Sequence, residues 1–348
     1  MTELPTLEKH ARPEDPTHHD FFADHHDGKV YFCPWPGYEK RGFKDLLRWN
    51  LGNNPHAEKK KTAPPTPKLE PEPLARLAAA REANADLIVM WLGHATFLIE
   101  IDGLRIITDP LFGRASPVVP RQAPAPLTAQ QITDVDIVLL THGHRDHFDA
   151  SSLASLASHN TDALFITPVG LNKALPSSCK NRFEVDWWNH FTIDSVGFTY
   201  TPSQHWHQRT PFDRNKALWG GWHLHGTHTL YHMGDSGYFG GFETVGHVLE
   251  TPDVMMLPMG AYEPRWFMGP QHMDPAGALQ AWKDIGATWG IPMHWGTFDL
   301  SNEPLDAGPK EFRELLGEDP NGEQLAARFH ELPHGGVASW KGKELLPL

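Results

Sequence analysis

Apolar residues fall in short unbroken runs along most of the chain, each closed by a glycine, proline or aspartate. The stretch "DLIVMWLGHATFLIEIDGLRIITDP" (86–110) holds three, Leu87–Trp91, Thr96–Ile101 and Arg105–Thr108, and its "IDG" marks a hairpin. "DVDIVLLTH" predicts a further buried strand. "ALFITP", "THTLYHMGDSGY", "PDVMMLPMG" and "TWGIPMHWG" predict one each, and "FEVDWWNHFTIDSVGFTYTPSQHW" several. Helical composition is confined to a few segments: "LARLAAAREANA", "DASSLASLASHN" with Asp149 as N-cap, and "DPAGALQAWKDIG". Many strands with a few interspersed helices predict an α/β sandwich of layered sheets. No internal repeat is visible.

The first 85 residues differ in character. A His- and Asp-rich stretch, "DPTHHDFFADHHDGKVYF", leads into the aromatic, basic "CPWPGYEKRGFKDLLRWNLGNNPHAEKKK" and the proline-rich "TAPPTPKLEPEP", read as a linker or extended surface crossing. The expected division is therefore an extension over 1–85, packing on a catalytic domain over 86–348.

Composition narrows the function classes. A formal charge of −13 argues against nucleic acid as the main partner. No apolar run approaches the roughly 18 residues of a spanning helix. The polar, acidic start shows no secretory signal, and the two cysteines, Cys33 and Cys179, read as reduced, so a cytoplasmic location is expected. The 23 histidines raise the prior for a metal site.

That site is announced by "LLTHGHRDHFD" (139–149). His142, His144, Asp146 and His147 follow directly on a buried strand, where a loop can converge on a ligand while the sheet fixes one side. Imidazole nitrogen and carboxylate oxygen suit Zn2+. The spacing resembles the signature of the metallo-β-lactamase superfamily, and three downstream strand ends supply what that resemblance asks for: His205 in "TPSQHW", Asp235 in "LYHMGDSGY" and His294 in "IPMHWG". It implies an αββα sandwich, two facing mixed sheets flanked by helices. His142, His144 and His205 would hold one Zn2+, Asp146, His147 and His294 the other, with Asp235 bridging; Mn2+ or Fe2+ are alternatives. Asp109 in "IITDP" matches a carboxylate that orients ligands rather than binding metal. His18, His19, His25 and His26 lie in a polar segment and are not assigned to a metal. His223, His225 and His228 read as surface or packing residues.

Longer stretches resemble one branch of the superfamily, the N-acyl-phosphatidylethanolamine-hydrolysing phospholipase D family and its bacterial relatives: 91–117, "QHWHQRTPFDRNKALWGGW" (204–222), "GDSGY" (234–238), "QHMDP" (271–275) and "HWGTFDLSNEP" (294–304), with "FCPWPGY…LLRWNLG" upstream. The resemblance implies phosphodiester hydrolysis by a metal-bridging hydroxide, giving N-acylethanolamine and phosphatidic acid. Asp146 and Asp235 are then catalytic as well as ligating, and His272 is a candidate for phosphate contact or acid, or a structural histidine. His94, Trp206, Arg209 and Trp219 are candidate substrate contacts, Arg209 and Trp219 alternatively braces for His205. The basic, aromatic stretch 29–61 either rests on an anionic bilayer, making the protein peripheral on the inner membrane face, or packs on the catalytic domain. A homodimer is an allowed assembly. The competing readings are a hydrolase of a soluble phosphodiester or sugar-phosphate lactone, and a non-catalytic metal-binding protein.

Overall fold

The computed structural model describes residues 4–62 and 67–347; residues 63–66 of the proline-rich linker lie outside them. In chain order the strands are β1 (Glu8–Lys9), β2 (Leu87–Gly93), β3 (Thr96–Ile101), β4 (Leu104–Thr108), β5 (Ile137–Leu139), β6 (Leu164–Pro168), β7 (Asn181–Val185), β8 (Asn189–Ile193), β9 (Val196–Thr201), β10 (Gly221–His225), β11 (Thr229–His232), β12 (Val254–Pro258), β13 (Trp289–Met293), β14 (Val337–Lys341) and β15 (Glu344–Leu345). The helices are α1 (Phe43–Leu51), α2 (Ala57–Thr62), α3 (Pro73–Glu82), α4 (Ala150–His159), α5 (Gly241–Val248), α6 (Arg265–Met268), α7 (Pro275–Ile285), α8 (Ala307–Glu318) and α9 (Gly322–Ala326).

Two mixed sheets face each other. One runs β1-β8-β9-β10-β11-β12-β13, the other β15-β14-β2-β3-β4-β5-β6-β7. In the first, β11, β12 and β13 are parallel; in the second, β4 to β7 are parallel. The unbroken apolar runs now have a cause. On β2, Leu87, Val89 and Trp91 point into the core between the sheets, while Ile88, Met90 and Leu92 point outward on the face covered by α3. On β5, Ile137 and Leu139 face inward and Val138 outward. A strand covered on both faces cannot alternate apolar with polar. The expected αββα architecture is what the chain adopts.

Local signals set the helix ends near the site. Asp149 caps α4 by accepting from the amides of Ser151 and Ser152, and Asp274 caps α7 through Gly277 N, with Gly286 left-handed at its end. Ahead of residue 86, β1 pairs with β8, and Cys33 and Trp35 are buried in the main hydrophobic core, Trp35 stacking on Trp187 and Phe239. Cys33 and Cys179 are both free and buried. Among the described residues no helix is long and apolar enough to cross a membrane.

Candidate metal centre

The loop after β5 hangs from a buried carboxylate. Asp109, just past β4, accepts from Thr141 N at 2.8 Å, from Thr141 Oγ1 at 2.5 Å and from His147 Nδ1 at 2.8 Å. With its hydroxyl hydrogen committed to Asp109, Thr141 Oγ1 accepts from His142 Nδ1 at 3.0 Å. His205 Nδ1 donates to the Gln271 carbonyl at 2.9 Å. Each bond fixes one ring nitrogen and turns Nε2 of His142, His147 and His205 toward a common centre, as metal ligands require. Asp109 thus touches a ligand without belonging to either ligand group.

The side chains converge as two adjacent groups, with Asp235 within reach of both. His142, His144, His205 and Asp235 form the first, with His144 Nδ1 3.0 Å from both His142 Nε2 and His205 Nε2. Asp146, His147 and His294 form the second together with His94. Asp235 Oδ2 lies 3.8 Å from Nε2 of His142 and of His205, 3.2 Å from that of His147 and 3.1 Å from that of His294. All seven expected ligands therefore meet at one point, reached from four separate strand ends.

The donor set fits a metal pair. Both oxygens of Asp235, Nε2 of His147 and both ring nitrogens of His294 are buried and make no hydrogen bond of acceptable geometry. Native interiors seldom leave so many polar atoms unpaired in one place unless an ion takes them up. Nitrogen and carboxylate donors in this number suit Zn2+ or a similar divalent ion.

Electrostatics without the ions shows the same strain. Burial drives His144 and His205 down to about 3 and His142 well below its usual range. Burial acts most strongly against charge on His147 and His294, but the surrounding carboxylates, Asp235 first and then Asp146, with Asp109 on His147, together outweigh it, raising His147 well above the ordinary imidazole value and His294 to about 9. Burial disfavours the charged forms of Asp146 and Asp235 too, yet the His147 imidazolium holds both far below the usual carboxylate range. Backbone strain gathers here as well: His94, Asp109 and His294 have φ of 54°, 38° and 63°. Gly234, at φ 63°, brings Asp235 inward where a Cβ would collide with the Gly220 carbonyl.

Above the ligands opens a cavity of about 680 Å³. His144, Asp146, Asp235 and His272 lie at its base, and His272 Nδ1 is 3.8 Å from Asp235 Oδ2. Trp206 lines it. The other three candidate substrate contacts do not. Trp219 is 1% exposed in the inter-sheet core, its indole N–H donating to the Ser203 carbonyl at 3.0 Å. Arg209 braces the ligand loop, donating to the carbonyls of Gly143 (2.8 Å) and Phe148 (3.0 Å) and lying over the Phe148 ring. His94 is buried, its Nε2 3.0 Å from Asp146 Oδ2, so it addresses a ligand and not the cavity.

Sequence reasoning missed the cavity's roof. It is α1, from the amino-terminal extension, joined to α6: Trp49 donates to Asn302 Oδ1 at 2.9 Å and stacks on Phe267, while Arg48 lies over Trp266. Alternating apolar and basic residues in α1 were the available signal. Two of the four amino-terminal histidines dock the extension, His18 bonding Thr244 Oγ1 at 2.8 Å and His25 pairing with Asp186 at 2.7 Å, and two fold it on itself, His19 bonding the Pro13 carbonyl at 2.9 Å and His26 packing on Tyr31.

A family model described as the beta-lactamase superfamily domain matches residues 104–295. The chain belongs to this superfamily. Among curated relatives of this superfamily member, N-acyl-phosphatidylethanolamine-hydrolyzing phospholipase D 1 of Caenorhabditis elegans is 31% identical over 67% of this chain and 71% of its own length. The mitochondrial N-acyl-phosphatidylethanolamine-hydrolyzing phospholipase D of Saccharomyces cerevisiae is 35% identical over 66% of this chain, which spans about half (51%) of that protein. Igni18, a metallo hydrolase from the archaeon Ignicoccus hospitalis, shares the fold with a TM-score of 0.57 at 22% identity, over 73% of this chain and 98% of its own. The protein is a metal-dependent hydrolase of the metallo-β-lactamase fold.

Proposed function

We propose that this hydrolase is a di-zinc phosphodiesterase of phospholipase D type, cleaving N-acyl-phosphatidylethanolamine-like lipids to an N-acylethanolamine and a phosphatidic acid. One observation carries the reading: a single carboxylate oxygen, Asp235 Oδ2, lies within 3.8 Å of histidine nitrogens from both ligand groups at the base of a cavity with an apolar wall. The names of the worm and yeast relatives point the same way.

In this reading His142, His144 and His205 hold one ion, Asp146, His147 and His294 the other, and Asp235 both. A bound zinc pair supplies an activated water and neutralises charge on phosphoryl oxygens. The chain does the rest. Asp109 keeps the His147 ring in its ligating orientation. His272, beside Asp235 at the cavity base, stands where it meets the phosphoryl group or the leaving oxygen. Phe43, Leu46, Phe267 and Met268 accept an acyl chain and keep water from its path.

The route to lipid follows from α1. Its inner residues face the cavity, while Leu47 and Leu51 are 44% and 86% exposed beside the exposed Lys40, Lys44 and Arg48. Such a face suits contact with an anionic bilayer. The test is incubation of the zinc-loaded protein with N-acyl-phosphatidylethanolamine in mixed micelles. Release of both products with two zinc ions per chain is expected. A fully zinc-loaded protein that releases neither product overturns the reading.

A further inference from the structure

The cavity has unlike sides. Phe43, Leu46, Trp49, Phe267 and Met268 make one of them apolar, whereas Arg41, Arg145 and Arg214 stand on the polar remainder. The only carboxylates lining it are Asp146 and Asp235, both belonging to the ligand groups. Arg145 and Arg214 form no ion pair among the described residues, and Arg41 pairs with Glu39, whose side chain is 69% exposed.

These guanidinium groups are held in place. Arg214 Nη2 donates to the Arg41 carbonyl at 2.6 Å, and its guanidinium lies 5.0 Å from the centre of the Trp206 ring. Trp206 in turn packs edge-on against His144, ring centres 4.6 Å apart. Arg145 follows His144 in the ligand loop and donates once, to the Arg209 carbonyl at 3.1 Å. A guanidinium has five N–H donors, so each keeps several for a ligand. The cationic side thus begins one aromatic ring away from a metal ligand.

A phosphodiester with an N-acylated, neutral headgroup brings one negative charge, which metal ions held at the base would neutralise. It leaves three guanidinium groups facing an uncharged headgroup: Arg145 is exposed, but drawing the half-buried Arg41 and Arg214 further out of water against such a partner is unfavourable. We propose that Arg41, Arg145 and Arg214 form a headgroup site for a second anionic group, a carboxylate or phosphate. The preferred substrate is then a phosphodiester whose leaving alcohol carries its own negative charge. This rests on the phosphodiesterase reading and narrows it.

Two synthetic lipids of equal length test it: N-succinyl- and N-butyryl-phosphatidylethanolamine, which differ by one terminal carboxylate. With the zinc-loaded protein in uncharged detergent micelles, kcat/KM is expected to favour the succinyl lipid by about tenfold, mostly through KM. Arg145→Gln and Arg214→Gln should erode that preference, and Arg145→Lys should keep it. Equal kcat/KM for the two lipids overturns the headgroup site while leaving the phospholipase reading intact. Because Arg214 also holds the Arg41 carbonyl, Arg145→Gln decides if Arg214→Gln disturbs α1. If neither lipid is cleaved, the phospholipase reading fails instead. Equilibrium binding of the same lipids, followed by tryptophan fluorescence, then judges the arginines alone: tighter succinyl binding that Arg145→Gln removes supports the site, and equal affinities sink it.

Discussion

His94 Nε2 lies 3.0 Å from Asp146 Oδ2, and the His94 ring packs on that of His294 with centres 3.9 Å apart. The turn carrying His94 also accepts from His294 N through its carbonyl at 3.1 Å, and His94 N donates to Thr297 Oγ1 at 2.7 Å. One buried histidine therefore steadies two ligands of the same group. His94→Ala is expected to weaken metal binding there by about 10–100-fold. Gln keeps a donor near the position of Nε2, so His94→Gln should recover much of it. Chelator competition, read as ions retained per chain, measures both. Equal retention in His94→Ala and the parent would refute the assignment.

Asp235→Asn removes the only charge common to both groups. Retained metal should fall to one ion per chain or fewer, and turnover should be lost. Elemental analysis beside an activity assay checks this. Near-parental activity in the variant would mean that the paired-ion arrangement is wrong.

The metal-free protein should have a stability maximum near pH 6.5. Burial lowers His144 and His205 to about 3, so between the ordinary imidazole value of about 6.5 and pH 3 the unfolded chain binds more protons, and stability falls as pH drops. On His294, burial is outweighed by Asp235 and Asp146 together and the folded value rises to about 9; that stabilisation is complete below about 6.5 and lost as pH climbs through 9. Melting temperatures across this range in excess chelator test the shape. The same charges must leave when metal enters, so zinc uptake at neutral pH should release protons from His147 and His294. Titration calorimetry in buffers of different ionisation heat reads that release.

Trp49→Ala should detach the roof while sparing the metal. It deletes the bond to Asn302 and the stacking on Phe267, at a cost of about 2 kcal/mol in stability. Metal content should stay parental while KM for a long-chain lipid rises. A parental KM would show that α1 takes no part in substrate capture.

The sheet core was legible in the sequence because strands buried on both faces write continuous apolar runs, as β2, β3 and β5 do. The convergence of the candidate ligands was legible because His142, His144, Asp146 and His147 crowd one short loop and the superfamily resemblance points to His205, Asp235 and His294. Other parts were written in contacts and not in local pattern. α5, "GFETVGHV", carries two glycines, and its packing on α7 overrides weak propensity. β14 acquires its meaning by pairing with β2, far away in the chain. The "QRTPFDRNKALWGGW" stretch placed Arg209, Arg214 and Trp219 together, yet the fold sends one to the ligand loop, one to the cavity and one to the core. Only the path of the backbone separates those fates.

Cys33 and Trp35 come from the amino-terminal arm yet sit in the core behind His205: the Trp35 indole donates to Gln204 Oε1 at 3.0 Å, and Cys33 Sγ lies 3.7 Å from the His205 carbonyl. Removing the arm is therefore a core deletion. Losing the Trp35 side chain alone has the scale of a Trp→Ala change, about 3–5 kcal/mol. A fragment beginning at Asp86 would bare apolar surface beneath a metal ligand and clump before it could be assayed, so activity in this enzyme cannot be trimmed down to its histidines.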